Sequence, residues 1–425
     1  MKDMRGIAYC KGISLALIAT FILSGCGGAE QTSSDGSAMA ASSAVAYTGA
    51  TVITGNNDAA IGNATVVVDN GRFVAVGASD EVTVPSGATV VDLAGKTIMP
   101  TIIDTHVHLG RDRAALVEDL RNRARFGVSA ALSLGQDEGA DVYAVRGENI
   151  PGVAVYRTAG KGFTAPEPGR TEIPHWITTV DEARAAVREE AALGVDIIKI
   201  WVDDRDGQYA KLTPDLYGAI MDEAHANDLR VTAHLFTLED AKGLLLAGVD
   251  AFAHGVRDQM IDADFMAMLA ERETFVLGPN LPGRGTPFDV TWLEGQISEQ
   301  QYAQAIAQAS TRNPQAHDFF RIQARNLAMM NAAGTTIVLG TDGNTPWGPH
   351  LEMEDMVLAG MSPWDVIKAA TGNGAAFLQL EDMGTIEVGK RADFIVLDAN
   401  PMSDITNTRR ISAVYLQGEA VDRSL

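Results

Sequence analysis

The chain has 425 residues, of which 46% are hydrophobic and 21% charged, so it is long enough to bury a large core. Its formal net charge at pH 7 is −22, and a surface this acidic repels phosphate backbones and anionic lipid headgroups. This charge argues against nucleic acid as a partner and against membrane binding through surface charge.

Residues 1–25 have the composition of an export signal. Basic side chains precede the apolar stretch 13–23, which is too short to form a stable membrane anchor. The residues Leu23-Ser24-Gly25-Cys26 resemble a bacterial lipobox, and that resemblance implies cleavage before Cys26 and lipid attached to it. The alternative is an ordinary signal peptide followed by a coincidental cysteine. Removal of the signal would make the net charge two units more negative, because it carries three basic residues and one acid.

Residues 26–46 are rich in Gly, Ala and Ser, which predicts a flexible tether. Cys10 lies inside the signal, so the mature chain keeps only Cys26 and cannot form an internal disulfide. Aspartate is absent after Cys26, which resembles lipoproteins sorted to an outer membrane. We therefore expect an exported protein, anchored in the bacterial outer membrane or a periplasm-facing membrane, that contacts the membrane only through lipid.

Short alternating strands are predicted near both ends of the chain. The dipeptide Asn70-Gly71 between two of them is a strong hairpin signal. The predicted strands cover 50–54, 64–69, 72–77, 89–92, 384–386, 392–398 and 411–416. These patterns predict one small β-sandwich domain built from residues 47–96 and 384–425.

Between these blocks, in residues 97–383, each predicted strand is followed by a helix. The helices carry start and stop signals, such as the capping box from Thr179 to Glu182 with Gly194 as the stop. The eight predicted strands cover 97–108, 129–134, 153–157, 195–202, 230–234, 251–254, 274–278 and 335–341. This alternation predicts an α/β fold, a (β/α)8 TIM-like barrel with its chemistry at the carboxyl ends of the strands. A doubly wound open sheet is the alternative.

Two connections are too long for plain loops, namely 160–177 and 279–326. The first is rich in Pro and Gly, and the second contains a helical stretch at 296–309. Both leave from the carboxyl side of a strand, so we expect both to cover the site and shape its substrate pocket.

Three of the predicted strands end in histidine. His106 and His108 are two residues apart, so in a strand both imidazoles face one point, where they can hold a metal ion. One such pair alone is weak evidence, since chance pairs occur at strand ends. His234 and His254 end two successive strands, and on a barrel they would lie side by side on one rim.

Lys199 lies within the otherwise apolar strand 197–201. Burial lowers the pKa of a lysine, and a neutral amine can take up carbon dioxide to become a carbamate, whose oxygens can bridge two metals. The alternative is a lysine that extends to the barrel mouth. Asp342 ends the eighth strand among glycines, which gives its carboxylate access to the barrel axis.

Together these residues resemble the binuclear metal site of the amidohydrolase superfamily. The set is His106, His108, Lys199, His234, His254 and Asp342. The resemblance covers about residues 48–422 and includes the segment 384–398, which matches the superfamily's return into the β-sandwich. The lysine on strand four resembles the prolidase-like and dipeptidase-like branch, which includes ochratoxin-hydrolysing amidases. Imidazolonepropionases and nucleobase deaminases share the histidine pair but lack this lysine. One departure is Thr101, where a glycine is usual.

The resemblance implies the role of each residue in the set. His106, His108 and Asp342 would bind the more buried ion, and the two later histidines the more exposed one. Lys199, as N6-carboxylysine, would bridge both ions together with a hydroxide, and Asp342 would carry the proton to the leaving amine. A ligand set rich in nitrogen favours two Zn(2+) ions or another divalent transition metal.

The function implied is a binuclear zinc hydrolase that cleaves an amide or peptide bond in a small substrate. That substrate would be a dipeptide, an N-acyl amino acid or an aryl amide such as the mycotoxin ochratoxin. His175 and Arg257 are candidates to bind a substrate carboxylate, with a surface role as the alternative. Family members are commonly multimeric, so a homo-oligomer is expected. Two alternatives stay open: a lactone, carbamate or phosphoester hydrolase on the same site, and a metal-free ligand-binding lipoprotein.

Overall fold

The computed structural model describes residues 43–56, 59–281 and 283–424. The predicted signal and lipidated Cys26, with the tether up to residue 42, lie outside the described residues. The first strand begins at Val45, so the last two residues assigned to the tether are part of a strand instead. Within the described ranges, no helix is long and apolar enough to cross a membrane.

Strands and helices alternate along most of the described chain. The strands are β1 (Val45–Val52), β2 (Ile61–Asp69), β3 (Arg72–Ala78), β4 (Thr89–Asp92), β5 (Thr97–Pro100), β6 (Ile102–Val107), β7 (Val128–Ser133), β8 (Val155–Thr158), β9 (Phe163–Thr164), β10 (His175–Trp176), β11 (Ile198–Trp201), β12 (Val231–His234), β13 (Ala251–Phe252), β14 (Val276–Leu277), β15 (Thr336–Ile337), β16 (Phe394–Leu397), β17 (Ile411–Leu416) and β18 (Glu419–Ala420). The α-helices are α1 (Arg113–Arg125), α2 (Ala140–Ala144), α3 (Val180–Leu193), α4 (Pro214–Ala226), α5 (Leu238–Ala247), α6 (Ala263–Ala270), α7 (Glu299–Ala309), α8 (Pro314–Ala332), α9 (Gly348–Leu358), α10 (Pro363–Ala370) and α11 (Gly372–Phe377).

Strands from both chain ends share one eight-stranded sheet. Its order is β18-β17-β16-β5-β1-β2-β3, and β4 pairs with β1. Aromatic rings from both ends pack together in its core: the centroid of Phe394 lies 5.1 Å from that of Tyr47 and 4.5 Å from that of Tyr415. The two chain ends therefore stabilise each other through a common hydrophobic cluster.

Two sequence predictions in this sheet have different outcomes. The Asn70-Gly71 turn joins β2 to β3, and both residues have the positive φ, 48° and 73°, that this turn requires. The prediction of a strand at 384–386 is wrong. The nitrogen of Ile386 donates one backbone hydrogen bond to Thr54 at 2.9 Å, but no strand ladder follows from it.

All eight strands predicted in the middle of the chain are present in the structure, and one of them is divided into two strands. The strand expected over 97–108 is split at Thr101: β5 pairs with the sheet of the chain ends, whereas β6 begins a separate parallel sheet. Thr101, at the position where a glycine is usual, is buried, and its hydroxyl donates a hydrogen bond to Oγ of Ser129 at 2.6 Å.

The middle strands lie in two parallel sheets, β6-β7-β8 and β10-β9-β11-β12-β13-β14-β15. Every residue of β6, β7, β11 and β12 is buried, as expected when helices cover a parallel sheet. Backbone hydrogen bonds join the sheets at both edges, from Asp196 to Thr158 at 2.8 Å and from Thr105 to Leu339 at 2.9 Å.

The helix signals predicted from the sequence are mostly confirmed. Thr179 and Glu182 form the capping box of α3, which ends at Gly194 in the left-handed conformation. The helical stretch of the second long connection is α7, which also begins with a capping box. At α4, Pro214 occupies the first turn, but the side chain of Thr213 makes no capping hydrogen bond.

Candidate active site

Four histidines meet where the parallel strands end. The ring centroid of His106 lies 5.5 Å from that of His108 and 5.1 Å from that of His254. The centroids of His254 and His234 are 4.5 Å apart. The sequence therefore predicted this convergence correctly, because parallel strands bring their carboxyl ends to one side.

Asp342 completes the cluster from the end of the last strand. Its Oδ1 lies 3.2 Å from Nε2 of His106 and 3.0 Å from Nε2 of His108. The backbone nitrogen of Asp342 donates to the carbonyl of His106 at 2.7 Å, and φ at Asp342 is 48°. A glycine at 340 is needed for this approach, because a Cβ there would lie 2.8 Å from the Cβ of His106. Coordinating atoms of His106, His254 and Asp342 lie within 4.8 Å of one another, as in a metal site.

The tautomers of the histidine pair leave electron-rich atoms facing each other. Nδ1 of His106 lies 3.2 Å from the carbonyl of Ala253, and Nδ1 of His108 lies 3.4 Å from the carbonyl of Gly135. Each Nδ1 must donate, since a carbonyl only accepts, so both Nε2 lone pairs point at the Asp342 carboxylate. Such an arrangement is repulsive by itself and fits a cation bound among the three groups.

Lys199 is the second feature that fits a metal. It is fully buried on β11, and its Nζ has no hydrogen-bond partner among the described residues. Burial lowers the pKa of Lys199 to about 7, although the nearby Asp342 opposes this shift. The lysine does not extend to the barrel mouth, and a large share of its amines is neutral near pH 7.

The charge states also suit a metal site. Burial lowers the pKa of His106 to about 4 and that of His234 to about 3, so both are neutral ligands at pH 7. Burial raises the pKa of Asp342, whereas protonated imidazoles facing its carboxylate would lower that pKa far below the usual range. The acid is therefore an anion that can bind a metal or accept a proton.

His234 and His254 have polar partners that orient their rings. Asp203 Oδ2 lies 3.0 Å and Arg205 Nη1 3.1 Å from Nε2 of His234. In the tautomer in which Nε2 donates to the carboxylate, Nδ1 keeps its lone pair. The side-chain amide of Asn280 lies 2.9 Å from Nδ1 of His254. The sequence analysis identified neither partner, since each lies in a loop beyond a strand.

A buried ion pair beneath the cluster was also missed. Asp104 lies on β6 and accepts from the hydroxyl of Thr341 at 2.8 Å and from Nη1 of Arg123 at 3.2 Å. The other Arg123 nitrogen, Nη2, donates to the carbonyl of Gly343 at 2.7 Å. Burial raises the pKa of Asp104, and the Arg123 charge opposes that rise. The pair holds the loop on both sides of Asp342.

A cavity of about 170 Å³ opens over the metal-binding cluster. Arg205 lies on its wall and donates to Glu167 at 2.9 Å and to Asp203 at 2.5 Å. Arg170, whose side chain is 45% exposed, pairs with Glu167 at 2.6 Å. The remaining lining residues are Gln136, Thr164, Thr171, Trp201 and the four cluster histidines with Asp342.

The two long connections have different roles. Residues Thr164, Glu167, Arg170 and Thr171 of the connection 160–177 line the cavity, as predicted. The connection 279–326 contributes Asn280 at the edge of the cluster, but none of its described residues lines the cavity. The prediction for this second connection is therefore wrong, because α7 packs instead with Phe126 and Trp347 in a separate hydrophobic cluster.

Neither candidate for binding a substrate carboxylate lines the cavity. Nε2 of His175 lies 2.7 Å from the buried carboxylate of Glu190, and its ring stacks on Phe163. Arg257 covers the ring of Phe236, with its guanidinium carbon 3.1 Å from the ring centroid. Both side chains have structural partners, which a search for lone polar residues in loops cannot foresee.

Comparison with known proteins supports this geometry. A model of the amidohydrolase family matches residues 97–421. An imidazolonepropionase from Streptomyces griseus is 27% identical over 418 residues, which cover 86% of this chain and 96% of the relative. An ochratoxinase from Aspergillus niger is 28% identical over 236 residues, which cover 53% of this chain and 45% of the relative. A crystal structure of a protein from Bifidobacterium longum, assigned as a prolidase, aligns with a TM-score of 0.74 at 27% identity, covering 89% of this chain and 94% of that one.

These relatives differ in the reactions that their names describe, so they identify the family and leave the substrate open. The family match spans most of the described chain and includes every member of the histidine, lysine and aspartate set. The chain belongs to the amidohydrolase family and is a hydrolytic enzyme that acts on C–N bonds.

Proposed function

We propose that this protein is a binuclear zinc amidohydrolase of the prolidase-like and dipeptidase-like branch, built on a closed (β/α)8 barrel. The two parallel sheets supply eight strands in the order of the chain, with β9 and β10 added at one edge. The backbone bonds from Asp196 to Thr158 and from Thr105 to Leu339 support closure at both seams. A closed barrel accounts for the six site residues reaching one point from five different strands or their ends.

One observation carries the proposal: the Nε2 lone pairs of His106 and His108 face the Asp342 carboxylate, and the Lys199 amine is buried on β11. His106 Nε2 lies 3.2 Å from Asp342 Oδ1 without hydrogen-bond geometry, and Lys199 Nζ has no hydrogen-bond partner among the described residues. Leaving such groups unpaired in a core costs several kcal/mol. Divalent metal ions would relieve this cost at both places, which also argues against a metal-free binding protein.

The residues that would hold two metals follow from this geometry. His106, His108 and Asp342 would bind one ion, and His234 and His254 the other. Lys199, neutral at its lowered pKa and carboxylated by carbon dioxide, would bridge them. When bound, such ions lower the pKa of water and polarise a scissile carbonyl.

Asp342 would act as the acid and base of the reaction. Its ionised carboxylate can accept the proton of the attacking water and deliver it to the nitrogen of the leaving amine, which breaks the C–N bond. The bond from its backbone nitrogen to His106 fixes the position of the carboxylate during both transfers. Asp203 orients His234 by accepting from Nε2.

The cavity supports a small substrate that carries a carboxylate. Its volume of about 170 Å³ fits a dipeptide or N-acyl amino acid better than a long peptide. Arg170 is half-exposed at the mouth and can exchange part of its contact with Glu167 for a substrate carboxylate. Aryl amides of amino acids, the class that includes ochratoxin, fit the same description because they end in a carboxylate.

A kinetic test separates this substrate class from others. Purified enzyme loaded with zinc should hydrolyse dipeptides and N-acyl amino acids with a free carboxylate, and the matching carboxamides should have kcat/KM lower by at least about tenfold. Arg170→Gln should raise KM with little change in kcat. Arg188→Gln, an exposed arginine on α3 paired with Glu223, is the matched control and should change neither. Faster hydrolysis of lactones or phosphoesters than of every amide would contradict the proposal.

We also propose the cellular location and the oligomeric state that the sequence suggests. Cleavage before Cys26 and lipid on that residue would anchor the enzyme to a bacterial membrane facing the periplasm, with its substrates arriving as small molecules. We propose a homo-oligomer because members of the family are commonly multimeric. Light scattering of the purified enzyme would test this.

A further inference from the structure

A second cavity, of about 430 Å³, is lined by four arginines. It lies between the end of α1 and the last residues of the chain, and it shares no lining residue with the metal-site cavity. Besides the four arginines, Arg125, Arg409, Arg410 and Arg423, its wall carries the acid Asp398 and the aromatic residues Phe126 and Trp292. This concentration of arginines contrasts with the chain as a whole, which has 55 acidic and 33 basic residues.

Three of these four guanidinium groups form no ion pair within 4 Å in the described chain, although Asp398 and Asp422 interact at longer range with the charges of Arg410 and Arg125. Arg125 donates to Asn122 and to a backbone carbonyl, and Arg423 donates to two backbone carbonyls and to Gln296, so neither contacts a carboxylate in the described chain. The side chain of Arg410 makes no hydrogen bond and no ion pair within 4 Å in the described chain. Asp398, the acid on the wall, forms an ion pair with Lys96, whose Nζ lies 2.6 Å from Oδ1 of Asp398. Burial and the charge of Arg125 lower the pKa of Arg423, as expected for crowded cations.

Several N–H groups on the wall also lack an acceptor. Arg409 is 6% exposed, and although its Nη2 pairs with Glu354, its Nε has no partner among the described residues. Nε of Arg125 and Nε1 of Trp292 are likewise buried without an acceptor in the described ranges. These three N–H groups lie behind the cavity wall, where unpaired donors are uncommon and add to its positive potential.

We propose that this cavity, named here the arginine cavity, binds a small oxyanion that carries two negative charges, such as a sulfate or phosphate group. Guanidinium groups pair with tetrahedral oxyanions through parallel N–H donors, and Arg125, Arg410 and Arg423 supply the charge for more than one negative oxygen. The ring of Trp292, 6.4 Å from that of Phe126, forms one wall. A monocarboxylate would leave most of the positive charge unbalanced.

The test uses the full-length protein and sulfate, titrated by calorimetry at constant ionic strength set with sodium chloride. Sulfate should bind saturably with a stoichiometry near one. Inorganic phosphate and glycerol 3-phosphate form two further arms that distinguish a free anion from a phosphate ester. Acetate at the same ionic strength is the monoanionic control and should bind at least about tenfold more weakly.

Two variants assign the binding to the arginine cavity. Arg410→Ala removes a charge without breaking a hydrogen bond of the described fold, and it should weaken sulfate binding by about tenfold. Arg321→Ala removes an equal charge from the exposed face of α8 and should leave the affinity within about twofold. Trp292→Phe should keep the fold and remove the change in tryptophan fluorescence that accompanies binding. Absence of saturable binding, or equal weakening by Arg410→Ala and Arg321→Ala, would overturn the proposal.

Discussion

The buried pair of Arg123 and Asp104 should contribute more to stability than any exposed ion pair of α1. Their side chains are 1% and 0% exposed, and Arg123 also holds the carbonyl of Gly343 next to Asp342. Arg123→Leu leaves the Asp104 carboxylate buried without its cation, which typically costs about 3–5 kcal/mol. Arg121→Leu breaks an exposed pair with Glu118 on the same helix and should cost less than about 1 kcal/mol.

Guanidinium unfolding followed by circular dichroism would measure both variants under identical metal loading. A second variant, Arg123→Leu with Asp104→Asn, should recover part of the loss, because a neutral amide does not need a cation beside it. Activity offers a separate readout: displacement of the loop at Gly343 should lower kcat in Arg123→Leu even when the protein is folded. Equal free energies of unfolding for Arg123→Leu and Arg121→Leu would refute the role assigned to this pair.

Three further predictions follow from the site and the sequence. Asp342→Asn should keep the fold and much of the metal but lower kcat by at least about two orders of magnitude, measured by steady-state kinetics beside metal analysis, because an amide cannot accept the proton. Burial lowers the pKa of His106 to about 4, so in the metal-free protein its imidazole should stay neutral as the pH falls to about 5 and take up a proton through about 4, measured by NMR of the histidine rings. Protonation of His106 near pH 6.5 would show that this residue is not buried as described. Cys26→Ser should move the protein from the membrane fraction to the soluble fraction, and unchanged membrane recovery would contradict the lipid anchor.

The sequence predicted that the candidate metal ligands converge, because each of them is identified by its local position in the chain. Each histidine, the lysine and the aspartate stands at a recognisable place in a strand, and parallel strands necessarily bring such places together. The Asn70-Gly71 turn and the α3 capping box were predictable for the same reason, since each is defined within a few residues. The break at Thr101 was not, because this single residue separates β5 from β6, which pair with different sheets.

The polar partners of the site could not be predicted because they depend on distant segments. Glu167 meets Arg205 across 38 residues, and Asp104 accepts from Thr341 across 237. His175 was misassigned for this reason, since its partner Glu190 lies on the buried face of α3. Patterns of residue type identify strand ends well, whereas pairing between loops follows from packing that only the folded chain displays.

The central claim is that Lys199 is carboxylated and bridges two metals. The most direct measurement is electron density at Lys199 in crystals of zinc-loaded protein grown in air with added bicarbonate. We expect density for a carboxylate on Nζ and two metal ions roughly 3.5–4 Å apart, one beside His106 and one beside His234. A bare Lys199 amine beside a single, fully occupied metal would contradict the account.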